Sequence, residues 1–331
     1  ILLLMTGVSL LCMSCSPLPQ GPTAADILGN PNYQAISYGG YRAISRDTVP
    51  TVDQIKDDMR ILSAIDVKIL RTYNTELAEL PNLLKAISEL KQEDSSFEMY
   101  VMVGAWINCK DAWTDHPDHT QEDEAYNEAE VQRAVQYAKQ YPDIIKMIAI
   151  GNEAMVHWAT SYFVSPSVIL KWVNYLQELK SKGELRSDLW ITSSDDFAAW
   201  GGASDNYHTE DLNRLIAAVD FVSMHTYAFH NSHYSPDYWY SRDPSLSKIE
   251  KIDASMQRAG EFAIGQYNDV KQYILSLGID KPIHLGETGW ATVSNGFYGA
   301  EGSQAADEYK AKKYYDHLRK WSNENGISCF Y

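Results

Sequence analysis

Residues 146–153 read Lys-Met-Ile-Ala-Ile-Gly-Asn-Glu, and residues 282–290 read Pro-Ile-His-Leu-Gly-Glu-Thr-Gly-Trp. Each segment is a short apolar run that leads into a carboxylate, Glu153 in the first and Glu287 in the second. Short apolar runs are typical of strands that are buried on both faces, as in a parallel sheet. A carboxylate at the end of such a strand is costly to bury unless it is paired or used chemically. These segments therefore predict both the sheet and the edge of it that carries function.

Further apolar segments repeat this pattern along the chain, and helical patterns lie between them. One helix opens at Thr51 and Gln54, which have the spacing of a capping box. Another opens at Ser165 and Pro166, a serine N-cap followed by proline at the first helical position. The eight candidate strands are residues 34–38, 67–73, 99–104, 146–151, 189–193, 220–226, 282–286 and 327–331.

Strands that alternate with helices in this way predict an α/β fold, a closed (β/α)8 TIM barrel, which commonly needs about 250 residues. The alternative is an open doubly wound sheet, which usually carries a glycine-rich phosphate turn after its first strand. Residues 37–42 read Ser-Tyr-Gly-Gly-Tyr-Arg and lack that turn, which favours the barrel. The sequence stops at Tyr331 within the eighth candidate strand, so we expect a barrel that is incomplete at its C-terminus.

The first residues indicate a targeting segment rather than part of the barrel. Residues 1–11 are almost wholly apolar, and Cys15 follows shortly after them. The pattern resembles a bacterial lipoprotein signal in which Cys15 is lipidated; an ordinary signal peptide is the alternative. We expect export, with the protein held at the outer membrane or on the periplasmic side and touching the membrane only through its lipid. The predicted divisions are a signal peptide over 1–15, a linker over 16–30 and a barrel over 31–331.

Charge and motifs exclude several classes of partner. The chain carries 44 acidic and 28 basic residues, a formal net charge of −16, which repels nucleic acids and other polyanions. A neutral polysaccharide is compatible with this surface, although acidity also serves solubility alone. Residues 115–119 read Asp-His-Pro-Asp-His, but no second cluster of metal-binding side chains accompanies them. The sequence also lacks a nucleophile elbow and a phosphate loop. We expect an enzyme that needs no metal and no cofactor. We also expect a monomer.

The two strand-end glutamates suit the cleavage of glycosidic bonds. In a (β/α)8 barrel, functional groups gather where the strands end, and Glu153 and Glu287 would face each other across the mouth. One carboxyl group must be protonated to give its proton to the leaving oxygen, while the other must be ionised to attack the anomeric carbon. Different surroundings can separate the pKa values of two such groups. The alternative is that each glutamate is a structural cap or an ion-pair partner.

The flanking residues carry a family resemblance. Residues 150–153, Ile-Gly-Asn-Glu, and residues 286–290, Gly-Glu-Thr-Gly-Trp, resemble the two signatures of glycoside hydrolase family 17, the β-1,3-glucanase family. Residues 71–74, Arg-Thr-Tyr-Asn, look like the second strand of that family, and residues 223–227, Ser-Met-His-Thr-Tyr, look like its sixth. The resemblance covers nearly the whole chain after residue 31. It implies a retaining mechanism with Glu153 as acid/base and Glu287 as nucleophile.

Neighbouring side chains are candidates for binding substrate or supporting the two glutamates. Asn152 is expected to bind the sugar 2-hydroxyl, as its counterpart does in related families; loop capping is the alternative. Tyr73 and Tyr227 are expected to donate to Glu287, or else to fill the barrel. His225 shares the strand face of Tyr227, or is a satisfied core histidine. The remaining candidates are Arg71, in the second strand, and the aromatic residues Trp290, Trp106, Trp158, Tyr162 and Phe229, whose rings suit stacking on sugars or core packing.

These observations predict a retaining β-1,3-glucan hydrolase that cuts laminarin-type chains internally. A transglucosylase would use the same site and pass the glucosyl group to a sugar instead of water. Action on other linkages, such as β-1,4, is a further alternative. A non-catalytic glycan-binding lipoprotein is an alternative of another class, but it predicts the loss of one glutamate, and both are present.

Overall fold

The computed structural model describes residues 21–43, 45–234, 238–293 and 305–331. Cys15 and the predicted signal peptide lie outside these residues, so lipidation and export stay predictions. None of the helices in the described ranges is both long enough and apolar enough to cross a membrane.

Parallel strands form the centre of the molecule in the order β1-β2-β3-β6-β7-β8-β9. Parallel bridges join Cys329 to Leu285 of β9 and Phe330 to Ala35 of β1, so the C-terminal residues take the eighth position and close the ring. The predicted (β/α)8 barrel is confirmed. The strands are β1 Gln34–Ser37, β2 Val67–Arg71, β3 Tyr100–Ala105, β6 Ile145–Asn152, β7 Trp190–Asp196, β8 Val222–His225 and β9 Ile283–Glu287, with a separate antiparallel pair, β4 Cys109–Lys110 and β5 Asp118–Glu122.

Helices surround this ring, and their starts follow the sequence signals. Thr51 and Gln54 form the predicted capping box, with reciprocal hydrogen bonds of 3.2 and 3.0 Å. Ser165 is the N-cap of the helix that opens at Pro166. The helices are α1 Ala24–Ile27, α2 Val52–Ala64, α3 Glu79–Glu93, α4 Glu124–Gln140, α5 Pro166–Ser181, α6 Glu210–Ala218, α7 Asn231–Tyr234, α8 Lys248–Ser276 and α9 Glu308–Glu324.

The barrel interior has an apolar floor and a polar upper layer. Ile69, Met102, Met147 and Phe221 pack together in the lower part with Ala24 and Ile27 of α1, which are fully buried. Helix α1 therefore covers the floor of the barrel, although its residues lie in the segment that the sequence indicated as linker. Above the floor, the buried side chains are Arg71, Ser194, Ser223 and His225, at the carboxyl ends of the strands. A packed floor below polar groups is the arrangement that places chemistry at the mouth of a barrel.

Candidate active site

Glu153 and Glu287 meet at the mouth of the barrel. Glu287 is the last residue of β9, and Glu153 directly follows β6, three positions away in the ring. One oxygen of each carboxylate and the Nδ1 atom of His225 all lie within 4.8 Å of one another. Both side chains are mostly buried, with exposed fractions of 14% for Glu153 and 10% for Glu287.

The backbone at the end of β6 turns sharply to present Glu153. Gly151 and Glu153 both have positive φ, at 79° and 46°. A side chain at Gly151 would place its Cβ 2.9 Å from Cβ of Ala154, so glycine is required there. The backbone N–H of Glu153 donates to the carbonyl of Ser194 in the neighbouring strand at 2.9 Å. A glutamate in this left-handed conformation stores strain of roughly 1–3 kcal/mol, which is common at functional sites.

Glu287 is held ionised by the groups around it. Arg71, which is 1% exposed, donates from Nη1 to Oε1, and the hydroxyl of Tyr227 donates to Oε2 at 2.8 Å. Burial acts to raise the pKa of Glu287, but the charges of His225 and Arg71 and the two hydrogen bonds outweigh it. The pKa of Glu287 therefore lies well below its ordinary value.

Arg71 connects Glu287 to Asn152 and to Tyr73. Its Nη2 donates to Oδ1 of Asn152 at 2.5 Å, which fixes the orientation of that amide. Its guanidinium lies 4.7 Å from the centre of the Tyr73 ring, a cation–π contact. Burial and the charge of Glu287 raise the pKa of Tyr73 to about 12, against the opposing charge of Arg71, so its hydroxyl keeps its proton. The structure thus brings the predicted residues Arg71, Asn152, Tyr73 and Tyr227 together around Glu287.

Glu153 has a different partner, the fully buried His225. Its Oε1 lies 3.0 Å from Nδ1 of the imidazole, and the other ring nitrogen lies 2.8 Å from the hydroxyl of Ser194. Ser194 in turn lies 2.8 Å from the hydroxyl of Ser223. Nδ1 is also 3.7 Å from Oε2 of Glu287, so the imidazole stands beside both carboxylates. A chain of polar groups across β7 and β8 therefore fixes the ring that holds Glu153.

The hydrogen-bonded hydroxyls of Ser194 and Ser223 explain why a glycine precedes Glu287. A Cβ on Gly286 would lie 2.1 Å from the hydroxyl oxygen of Ser223 and 2.7 Å from that of Ser194. No side chain fits at these distances. Gly286 is therefore required by the hydroxyl chain that passes beside β9, in addition to any role in the turn that follows.

Two carboxylates at the end of β7 were not anticipated from the sequence. Asp195 is fully buried and accepts the backbone N–H of Met155 at 2.7 Å, which ties down the loop after Glu153. Burial raises the pKa of Asp195 well above its ordinary value. Burial and the nearby charge of Glu153 raise the pKa of Asp196 to about 6, against the hydrogen bond from Ala198. The candidate strand ended at residue 193, because Thr192, Ser193 and Ser194 interrupt the apolar pattern before these acids.

The predicted aromatic contacts divide into buried and exposed rings. Trp290 is 6% exposed; its indole N–H donates to the carbonyl of Ala305 at 2.7 Å, and its ring packs edge-on against Phe229 at 5.2 Å. This environment favours core packing for Trp290 and Phe229 over contact with sugar. Trp158 is 57% exposed, whereas Tyr162 is buried.

Within the described ranges, Glu153, His225 and Glu287 are the group of three whose ligand atoms converge as those of a metal site do. Both oxygens of Glu287 are already engaged, by Arg71 and by Tyr227. The fixed positive charge of Arg71 opposes a metal cation at this position. The arrangement suits proton transfer and covalent chemistry between two carboxylates better than metal binding.

Comparison with known proteins gives the family. Residues 35–331 match the model of the BtgE/BtgC glycoside hydrolase domain. The chain belongs to this family. The glycoside hydrolase is 58% identical to a solved endo-laminarinase from Formosa Hel1_33_131, with a TM-score of 0.90 over 94% of this chain and 79% of the other. A GH5-4 broad-specificity endoglucanase from an uncultured bacterium shares the fold, at 13% identity and a TM-score of 0.51 over 95% and 90% of the two chains. No curated protein matches the sequence.

Proposed function

We propose that this glycoside hydrolase cuts β-1,3-glucan within the chain, with retention of anomeric configuration. Glu287 is the nucleophile and Glu153 the acid/base. These roles follow from the resemblance to glycoside hydrolase family 17. The observation that carries the proposal is the unequal environment of two carboxylates whose oxygens lie within 4.8 Å. The 58% identity to an endo-laminarinase supports the choice of substrate, since laminarin is a β-1,3-glucan.

The spacing of the carboxylates favours retention over inversion. Retaining enzymes place their two carboxyl groups about 5–5.5 Å apart, whereas inverting enzymes leave roughly 6.5–9.5 Å for a water molecule. One oxygen of Glu153 lies within 4.8 Å of one oxygen of Glu287, which is nearer to the retaining spacing than to the inverting one. This spacing supports a mechanism in which the second carboxylate reacts with the sugar itself.

The surroundings of the two carboxylates support these roles. Glu287, ionised and held by Arg71 and Tyr227, attacks the anomeric carbon and forms a glycosyl-enzyme bond. Glu153 gives a proton to the departing glycosidic oxygen, and then takes one from the water that releases the sugar. Asn152, oriented by Arg71, is placed beside Glu153 to bind the sugar ring.

Product analysis tests substrate and stereochemistry together. We expect laminarin to be cut into short oligosaccharides, lichenan to be cut less, and cellulose to remain intact. Proton NMR of the first products should show the β anomer before mutarotation. Equal activity on cellulose would contradict the linkage, an initial α anomer would contradict retention, and dominant longer products at high glucan concentration would identify a transglucosylase.

We propose in addition that the protein is an exported, lipid-anchored monomer. The apolar segment before Cys15 supports the anchor. Mass spectrometry of the protein purified from bacterial membranes should find an acylated N-terminal Cys15. A mature chain that begins elsewhere without lipid would refute the anchor while leaving the catalytic proposal intact.

A further inference from the structure

Three aromatic rings form a cluster beside the loop that carries Glu153. The rings of Trp113 and Tyr162 stack with centres 4.9 Å apart and planes 22° apart, and Trp106 lies 5.0 Å from Tyr162. Tyr162 is buried, whereas Trp113 is 61% exposed, so one face of its indole is open to solvent. An open indole face supported from behind by a second ring is a flat apolar surface of the size of one sugar ring.

The cluster is fixed in place by buried polar groups. Trp106 and Trp113 donate their indole N–H groups to the same oxygen, Oδ1 of Asn108, at 2.9 and 3.3 Å. The backbone of Asn108 exchanges two hydrogen bonds with the amide of Asn127 in α4, at 2.8 and 3.0 Å. The fully buried Glu130 accepts the backbone N–H of Trp106 at 3.0 Å. The rings are therefore held before any ligand arrives, which lowers the entropic cost of binding.

The backbone of Trp113 is strained. Its φ is 65°, in the left-handed region where a tryptophan is rare, and Asp111 two residues earlier has φ 55°. A mostly exposed ring gains little from burial in return for this strain. The backbone N–H of Trp113 is bound to the carbonyl of Ser161 at 2.9 Å, which holds the strained turn against the loop after Glu153. Backbone strain at a mostly exposed aromatic residue is a feature of functional positions.

Tyr162 places the cluster next to the catalytic carboxylates. Trp106 and Trp113 lie in the loop after β3 and Tyr162 lies in the loop after β6, and these two strands are neighbours in the ring. The two loops are joined where the backbone N–H of Cys109 donates to the carbonyl of Tyr162 at 3.0 Å. The cluster therefore stands at the mouth of the barrel, on the side of Glu153. A glucan chain that leaves the catalytic pair on this side passes the open face of the indole.

We propose that Trp113, backed by Tyr162, forms a sugar-binding subsite that stacks a glucosyl unit of the bound glucan beyond the two units joined by the scissile bond. The proposal rests on the proposed function, because the occupant is a further unit of the same β-1,3-glucan. The C–H face of a glucose ring packs on an aromatic face. Since the subsite lies outside the bond being cut, its contribution is to the binding of long chains and not to the chemical step.

Calorimetric titration of the inactive Glu287→Gln protein with a linear β-1,3-glucohexaose and with the disaccharide tests the subsite. We expect Trp113→Gly to weaken hexaose binding about tenfold, equivalent to ~1.4 kcal/mol, and to leave the disaccharide unaffected. Trp113→Tyr, which keeps a stacking ring, should restore most of the loss. Ile61→Ala, which trims an equally exposed side chain on α2, is the control and should change neither affinity.

Thermal melting separates a binding role from a structural one. Glycine tolerates the left-handed backbone, so Trp113→Gly should keep the melting temperature within a few degrees of the parent. Unchanged hexaose affinity in Trp113→Gly would overturn the subsite alone, and equal losses for hexaose and disaccharide would also overturn it. If the parent protein binds no β-1,3-glucohexaose, the proposed function and the subsite fail together.

Discussion

Glu287 and Glu153 are the same residue type at the ends of strands in the same ring, yet their surroundings are opposite. Glu287 ends β9, and both of its oxygens accept hydrogen bonds, from a buried arginine and a tyrosine. Glu153 sits on a strained turn, and its contact is with an imidazole in a chain of serine hydroxyls. The charges of His225 and Arg71 keep Glu287 ionised, whereas Glu153 has its hydrogen-bond contact with the imidazole of His225. In the proposed mechanism, the neighbouring groups and not the residue type separate the nucleophile from the acid/base.

Removal of the nucleophile should have the largest effect. In Glu287→Gln the amide keeps the shape and can still accept the Tyr227 hydrogen bond, but it cannot form the glycosyl-enzyme bond. We expect kcat on laminarin to fall roughly 10⁴–10⁶-fold. Circular dichroism should show an intact fold. Near-full activity in this variant would refute the assignment of Glu287.

Removal of the acid/base should cost less and should depend on the leaving group. In Glu153→Ala we expect laminarin hydrolysis to fall roughly 10²–10⁴-fold, the usual contribution of general acid catalysis. Glycosides with activated leaving groups need no proton, so their first step should be nearly unaffected.

Added azide distinguishes the two carboxylates within this variant. Azide should enter from the face that Glu153 vacates and yield a β-glucosyl azide. The matched Glu287→Ala protein has no covalent intermediate and should give no β product. An α-azide from Glu153→Ala would mean that the two roles are exchanged.

Replacing Arg71 tests whether its positive charge keeps Glu287 ionised. Because the folded pKa of Glu287 lies below its ordinary value of 4.5, its ionised form adds stability above that pH, which is lost as the pH falls through the folded pKa. Arg71→Leu removes the cation and leaves a buried carboxylate, at a cost of about 3–5 kcal/mol in unfolding free energy. The pKa of Glu287 should rise, so the acid limb of kcat/KM should move to higher pH.

In Arg71→Leu, activity at the pH optimum should also fall, by roughly 10²-fold, because Asn152 loses the arginine that orients it. Arg71→Lys keeps the positive charge but loses the forked geometry of the guanidinium. Its acid limb should therefore lie close to that of the parent protein, while its rate should recover less. An acid limb that is unchanged in Arg71→Leu would show that Tyr227 and His225 alone keep Glu287 ionised.

The sequence predicted those parts of the site that are local in the chain. Glu153 and Glu287 each follow an apolar run, and the ring of strands follows from the alternation of strand and helix patterns. The contact of Ser194 with His225 could not be predicted, because it depends on the register between β7 and β8. Trp113 was missed for a similar reason, since its stacking on Tyr162 and its positive φ come from a turn in an otherwise polar loop.

Adjacency in sequence was a poor guide at two positions. Trp290 lies three residues after the nucleophile, but the chain turns its ring into a buried cluster with Phe229 and Tyr314. Helix α1 is a single turn without detectable periodicity, so it could not be separated from a linker by pattern. Its burial depends on the shape of the barrel floor, which no local signal describes.

If Cys15 carries the proposed lipid, the position of α1 sets which side of the barrel is nearer the membrane. Gly21, just before α1, lies near the Tyr100 hydroxyl at the floor of the barrel, opposite the mouth that holds Glu153 and Glu287. A tether that arrives from Cys15 therefore joins the protein from below. On a membrane the cleft would then point outward, toward the medium from which a soluble polysaccharide arrives, and the bilayer would not obstruct either end of a long chain.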